Sequence, residues 1–359
     1  MLDYYVWLKF YLIRFLKVLQ RGYVSVNIFI YLIMRIFRKA LPFFLCAVII
    51  LITPYAYSKT TKKEEFPLQT TKQKMILTLW NLDLFEGGVW SRADFLSTVA
   101  TEYSKDGVLI MVVSHTLESA KKMIESGVLP DMLSFSAGAD FATFYAKKLP
   151  KISFSGGEIN GDCFAYPWCA GGYFLISKNE NNQPIDRLFV SQNTYTNPLF
   201  AIEENKIDAK EKIKKEPLDA YTAFLSGESG DFLLGTQRDL FRLERRGVEH
   251  YAKPLEKFSD IVQYLSVFAS GERYDESLKF AEFLIGEKVQ KTLGKIGMVS
   301  PYFSENQVQT LKDFDFKKIT TTISPFTDSS IILNIIDGAW RKNSSPEEFA
   351  KFKNVLKRL

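Results

Sequence analysis

Asp83 and Glu86 stand three residues apart, and a pair of carboxylates across one bond is what glycoside hydrolysis requires. Two solvated loop acids are the blander reading and the preferred one. Histidine chemistry is nearly absent. The chain has two histidines, His115 and His250, and neither sits in a His-Glu-x-x-His motif. No Gly-x-Ser-x-Gly elbow is available for a nucleophile, and no Gly-x-Gly-x-x-Gly turn for a dinucleotide. Gly230 and Gly235 have the spacing of a phosphate loop, but Thr236 stands where its lysine belongs. Cys163 and Cys169, six apart, can close a short disulfide or remain two free buried thiols, and both readings stay open. With no further ligand nearby, they do not suggest zinc. No catalytic set, metal site or cofactor is expected.

The elements around these residues read as α/β. Residues 75–80 form a short, nearly continuous apolar run, the pattern of a strand buried on both faces. Helical spacing follows over 91–104, with Ser91 placed to cap and Asp94 three residues on. A second buried strand is expected at 108–113, a helix over 117–125 closed by Gly127, and a third apolar run at 131–135. Strand and helix alternating with short connections predicts a parallel sheet with helices on both faces. Ligands in such sheets sit beyond the carboxyl ends of the strands, which singles out Trp80, Asn81 and Asp83, and Phe135 with the residues after it.

The second half alternates similarly, with strands expected near 163–166, 173–176, 232–235 and 261–268. Helices are expected over 218–226, from 236, over 276–284 and over 287–293. The charge run at 206–215 reads as a solvated helix face, and 344–359 as a closing amphipathic helix with Pro346 in its first turn.

Length and charge bound the rest. The chain has 359 residues, enough for two cores at about 100–200 residues each. The formal charge of +5 is unevenly placed. Residues 1–58 hold seven of the 46 basic residues and one of the 41 acidic ones, leaving the remainder with 39 against 40. That near-neutral body gives no electrostatic reason to expect nucleic acid. A basic stretch at 34–39, an apolar run at 40–53 and the small residues of Ala56-Tyr57-Ser58 follow the order of a secretory signal. Residues 1–58 are therefore read as an N-terminal extension with a signal peptide or membrane anchor, and 59–74 as a tether. Residues 1–33 read either as an additional membrane-associated segment or as lying before the true start at Met34, since the signal is complete without them. Cys46 follows Phe43-Phe44-Leu45, whereas a bacterial lipoprotein signal wants a small residue there.

Several segments, in order, resemble the extracellular solute-binding proteins of ABC transporters, particularly the family that includes maltose-binding protein. Ile76-Leu-Thr-Leu-Trp80 resembles that family's first strand, and Gly127-Val-Leu-Pro-Asp131 its Gly-x-x-Pro-Asp segment. Asn160-Gly-Asp-Cys-Phe-Ala-Tyr166-Pro167 is similar to its Asn-Gly-x-x-Tyr-Ala-x-Pro element, with Phe164 in the tyrosine's place, and Gly172-Tyr-Phe-Leu-Ile to the strand after it. Ala223-Phe-Leu-Ser-Gly-Glu228 with Leu233-Leu-Gly235 resembles the Phe-x-x-Gly-Lys-x-Ala-Met segment, and residues 282–297 its Phe-Leu-x-Ser-x-Glu-x-Gln helix. Only 45 residues separate Ser177 from Ala223, short for the family, and Ser229-Gly-Asp-Phe232 replaces its usual small residues.

The resemblance implies a two-lobe periplasmic-binding-protein-like fold with a ligand cleft between the lobes. Lobe one is expected to hold 75–173 and 262–310, and lobe two 178–257 and 316–359, with crossings near 174–177, 258–261 and 311–315. It also implies an exported, monomeric protein that holds a small solute, a carbohydrate in the first instance, and serves ABC permease and ATPase subunits. A sugar needs aromatic faces for its C–H groups, and carboxylates, amides or arginine for its hydroxyls. The cleft segments supply Trp80, Phe135, Trp168 and Tyr173 for the first. Asn81, Asp83, Glu86, Gln237 and Arg238 serve the second, and Gly172 allows a close backbone approach. Each has a plainer alternative: core packing for the tryptophans, a hinge turn for the glycine, a salt bridge for Arg238. On the cleft reading, Trp80→Ala weakens ligand binding with little loss of fold. The two other functional readings are an exported carbohydrate-active hydrolase and a membrane-tethered ligand sensor.

Overall fold

A computed structural model describes residues 75–104, 107–152, 156–180, 184–228, 230–304, 308–341, 350–351 and 354–358, with 9–14, 17, 34–35, 38 and 40–41 nearer the N-terminus. The chain divides into two compact units, Met1–Thr71 and Lys72–Leu359. In the first unit, residues 9–14 are helical. The tether, the cleavage point after Ser58, Cys46 and the apolar run beyond residue 41 lie outside the described residues. No helix among the described residues is long and apolar enough to cross a membrane.

The second unit is built on two five-stranded sheets. The first opens with β1 (Met75–Leu82), α1 (Arg92–Tyr103), β2 (Val108–His115), α2 (Leu117–Glu125) and β3 (Met132–Phe135). β1 runs parallel to β2 and to β3, as the alternation of strand and helix predicts. Local signals set the helix ends: the Ser91 side chain accepts the Asp94 N–H, the Thr116 side chain accepts the Ser119 N–H, and Gly127 turns the chain at φ +86°. β4 (Tyr166–Ala170) joins the same sheet, next to a strand that returns much later, β10 (Val262–Val267). The order is β2-β1-β3-β10-β4, and β10 is antiparallel to both neighbours, so the expected parallel sheet is mixed. Alternation marks local βαβ units and carries no signal for a strand arriving from 130 residues away.

The second sheet starts at once after β4. It contains β5 (Tyr173–Ser177), β6 (Arg187–Ser191), β7 (Glu211–Lys215), β8 (Asp231–Thr236) and β9 (Tyr251–Pro254), in the order β9-β5-β8-β6-β7. α3 (Pro198–Glu204), α4 (Pro217–Ser226) and α5 (Gln237–Arg245) lie between these strands in sequence. Burial explains the strand sequences, since all six residues of β8 and all six of β10 are buried. The 206–215 charge run is corrected here: Glu211–Lys215 is the edge strand β7, paired parallel to β6. Ile213 packs on the core while Glu211 and Lys214 face water, so charge on this strand reflects an edge exposed to solvent.

Further elements of the unit include α6 (Glu272–Ile285), α7 (Ser329–Arg341), and a ribbon of β11 (Thr321–Ile323) with β12 (Leu356–Arg358). The expected helix over 344–359 is therefore wrong at its end, where 356–358 pair as a strand. Residues 342–349 lie outside the described residues. Helical periodicity in so short a tail was overridden by an edge that needed a partner. Cys163 and Cys169 are both buried free thiols, and burial pushes the Cys163 thiol up to about 11.

Candidate functional site

Two passages carry the chain between the sheets. The first runs through Gly171 and Gly172, and Tyr173 already pairs in the second sheet, opposite Thr236. Both glycines are required by closeness: a Cβ on Gly171 would lie 2.0 Å from the Gln237 amide, and one on Gly172 would lie 2.4 Å from the Phe314 ring. Gln237 is buried there, its Oε1 accepting from the Gly172 N–H at 3.2 Å and its Nε2 reaching Met298 Sδ at 3.2 Å. The return passage holds Asp260, which is buried. The Tyr173 hydroxyl donates to it at 2.6 Å, and the Asn197 N–H and Nδ2 donate at 2.7 and 2.9 Å. Burial raises the Asp260 carboxyl above the usual range and moves Tyr173 higher too, helped by the neighbouring carboxylate.

A cleft of about 630 Å³ opens beyond the carboxyl ends of β1, β6 and β8. Its first wall is the loop from Asp83 to Ser91 and the start of α1; its second is Asn193, after β6, and Arg238, in the first turn of α5. Strand ends of an open α/β sheet are where helix N-termini and loops leave polar groups unspent. Arg92 organises the first wall. Its Nε donates to Asp83 at 2.8 Å, its Nη2 to the Phe85 carbonyl at 2.7 Å, and its guanidinium lies 4.0 Å over the Phe85 ring. Glu86 reaches across to the second wall, where one carboxylate oxygen takes Arg238 Nε at 2.6 Å and Arg242 Nη2 at 2.5 Å. Trp90 stands in this cleft with 64% of its surface exposed, which is unusual for so large an apolar side chain.

Of the ten residues expected at the site, Asp83, Glu86 and Arg238 line this cleft. The other seven do not. Trp80 is 4% exposed, with its ring 4.6 Å from His115, and Phe135 is fully buried against Phe326. Trp168 stacks on Phe95 at 5.8 Å and donates its indole N–H to Ser134. Asn81 lies beside it in a buried polar cluster, accepting from Ser134 Oγ and donating to Asp83 at 3.1 Å. Gly172 lies in the first passage, Tyr173 opens β5, and Gln237 opens α5 with its side chain against that passage. The reason is common to the aromatics: an apolar side chain in a doubly covered strand is drawn into the core, so a tryptophan near a strand end packs beneath the loop. The expectation that Trp80→Ala spares the fold is overturned by its burial.

Reading the sequence missed Trp90, Arg92, Phe85 and Asn193. Trp90 carried a usable signal, since it directly precedes the capping Ser91 in the loop after β1. Asn193 carried none, because the strand before it was not recognised.

No protein-family model matches the chain, and no curated protein sequence does. Solved structures do match. Iron-bound HitA from Pseudomonas aeruginosa is similar with TM-score 0.52 at 15% identity, over 74% of this chain and 99% of that one. An ABC substrate-binding protein from Listeria monocytogenes in complex with cycloalternan matches with TM-score 0.51 at 11% identity, over 78% and 97%. A protein described for xylan utilization by the thermophilic bacterium Caldanaerobius polysaccharolyticus matches with TM-score 0.52 at 13% identity, over 77% and 98%. The chain therefore has the two-lobe periplasmic-binding-protein fold seen in solute-binding proteins of ABC transporters.

Proposed function

We propose that this chain is the extracytoplasmic solute-binding component of an ABC transporter and holds a neutral carbohydrate in the Trp90 cleft. In this reading lobe one is built around the first sheet and lobe two around the second. Export through the N-terminal segment and delivery to permease and ATPase subunits belong to the same proposal. The observation that carries the ligand class is the exposed Trp90 face in a cleft whose arginines are already paired with Asp83 and Glu86. An aromatic face takes the C–H side of a sugar ring, and the rim of Asp94, Asn193, Ser91 and Arg238 takes its hydroxyls. Two of the three similar structures concern glycans and one holds iron. Among the described residues no group of three or more His, Cys, Asp or Glu side chains is placed to hold a metal ion.

The hydrolase reading loses support because Asp83 and Glu86 are each committed to arginine donors. Isothermal titration with neutral oligosaccharides, followed by chromatography of the sugar, separates the readings. The proposal expects saturable binding with the sugar recovered unchanged. Conversion of the sugar would make the protein an enzyme, and absence of binding with any sugar would remove the ligand class.

A further inference from the structure

We propose that Glu86 is a specificity-determining residue, a built-in counter-ion that makes the cleft refuse anions. The inference rests on the cleft being the ligand site and concerns which ligands it rejects. Arg238 lies in the first turn of a nine-residue helix and lines the cleft with more than a third of its side chain exposed. An arginine fork at a helix N-terminus, facing an amide such as Asn193, is a site that would bind a carboxylate, sulfate or phosphate. Glu86 fills that role from within the chain. It comes from the loop of the other sheet, is only 25% exposed, and shares one oxygen between Arg238 and Arg242.

The two arginines differ in what remains without it. Arg242 also pairs with Asp239 at 3.0 Å, whereas Arg238 has no other carboxylate partner among the described residues. Arg92, the remaining cation of the lining, is held by Asp83 and nearly buried. An anion that approaches Arg238 must therefore either push Glu86 back onto Arg242 alone or bind beside its negative charge, and both oppose binding. A neutral polyol meets no such conflict.

The test uses the full chain titrated with sodium sulfate against sodium chloride at matched ionic strength, read by melting temperature and tryptophan fluorescence. Wild type and Glu86→Asp, which keeps the charge, are expected to respond to sulfate no more than to chloride. Glu86→Gln is expected to bind sulfate about tenfold or more tightly than wild type. Glu86→Gln combined with Arg238→Gln is expected to lose the gain. Sulfate binding by the wild type equal to that of Glu86→Gln overturns the inference, as does a folded Glu86→Gln that gains nothing. Should Glu86→Gln fail to fold, Glu86→Ser is titrated in its place under the same criteria, and sulfate binding by the wild type still decides against it. Sulfate needs no sugar ligand, so failure here leaves the carbohydrate reading intact, and failure of sugar binding leaves this result interpretable.

Discussion

The Tyr173 hydroxyl donates to the Asp260 carboxylate at 2.6 Å, a bond between the two stretches of chain that pass from one sheet to the other. Both residues are buried, so the bond is sheltered from water, and Asn197 supplies two further donors. Tyr173→Phe leaves the carboxylate short of one partner at the point where the two lobes meet. It is expected to cost about 1–3 kcal/mol of stability with the fold kept. Urea unfolding followed by circular dichroism checks this; an unchanged midpoint would show that Asn197 alone satisfies Asp260.

A second buried acid makes the protein's stability depend on pH. Burial raises the Asp239 carboxyl from 3.8 to about 6, against the pull of the Thr236 N–H and Arg242. Between about pH 4 and pH 6 the folded protein keeps a proton that the unfolded chain has lost. This contribution is therefore complete below about pH 4 and is lost as the pH rises through 6, with a slope of at most about 1.4 kcal/mol per pH unit. Asp239→Asn keeps an acceptor for Thr236 and removes the titration. Urea midpoints at pH 4, 5 and 6 are expected to fall more steeply in wild type than in the variant. Parallel lines would contradict the assignment.

Asp131 anchors the start of β3. It accepts from the Thr78 N–H at 2.7 Å and from Arg273 Nε and Nη2 at 2.7 and 2.5 Å, joining β1, β3 and α6. Asp131→Ala strands these donors. Because Arg273 is half exposed and can turn to water, the expected cost is about 2–3 kcal/mol, at the low end for broken buried pairs. A loss under 0.5 kcal/mol in chemical denaturation would show that backbone pairing suffices there.

Trp80 and Trp90 are expected to divide stability from binding. Trp80→Ala empties a buried position and should cost about 3–5 kcal/mol, with sugar affinity unchanged in whatever folds. Trp90→Ala removes an exposed ring, so stability should stay within about 0.5 kcal/mol while sugar affinity drops about tenfold. Melting curves and calorimetry on the two variants read both quantities. The reverse pattern would return the site to the first strand.

The fold class was legible because its signals are local. The apolar run of 75–80, the Ser91 cap and the Gly127 turn each act within a few residues, and six family-like segments in order pointed to the two-lobe architecture. The antiparallel placement of β10 was not legible, since register with β3 and β4 depends on contacts far apart in sequence. The edge strand at 211–215 was misread because charge and solvent exposure look alike on a helix face and on an outer strand. In the cleft, the charged residues Asp83, Glu86 and Arg238 were found from position and type, since charge seldom enters a core. The aromatics were not: a tryptophan is at home in either place, and Trp80 and Trp90 differ only in whether their backbone lies inside the sheet.

On this reading the cleft beside Trp90 holds a neutral carbohydrate. The most direct measurement is the melting temperature of the purified full chain against neutral mono- and oligosaccharides, with uronic acids as the charged comparison. A ligand present at a hundred times its dissociation constant adds about 2.7 kcal/mol of stability. A clear upward shift is expected with one class of neutral sugar, no shift with uronic acids, and loss of the shift in Trp90→Ala. A flat response to every neutral sugar, or a shift that persists undiminished in Trp90→Ala, would contradict the carbohydrate reading.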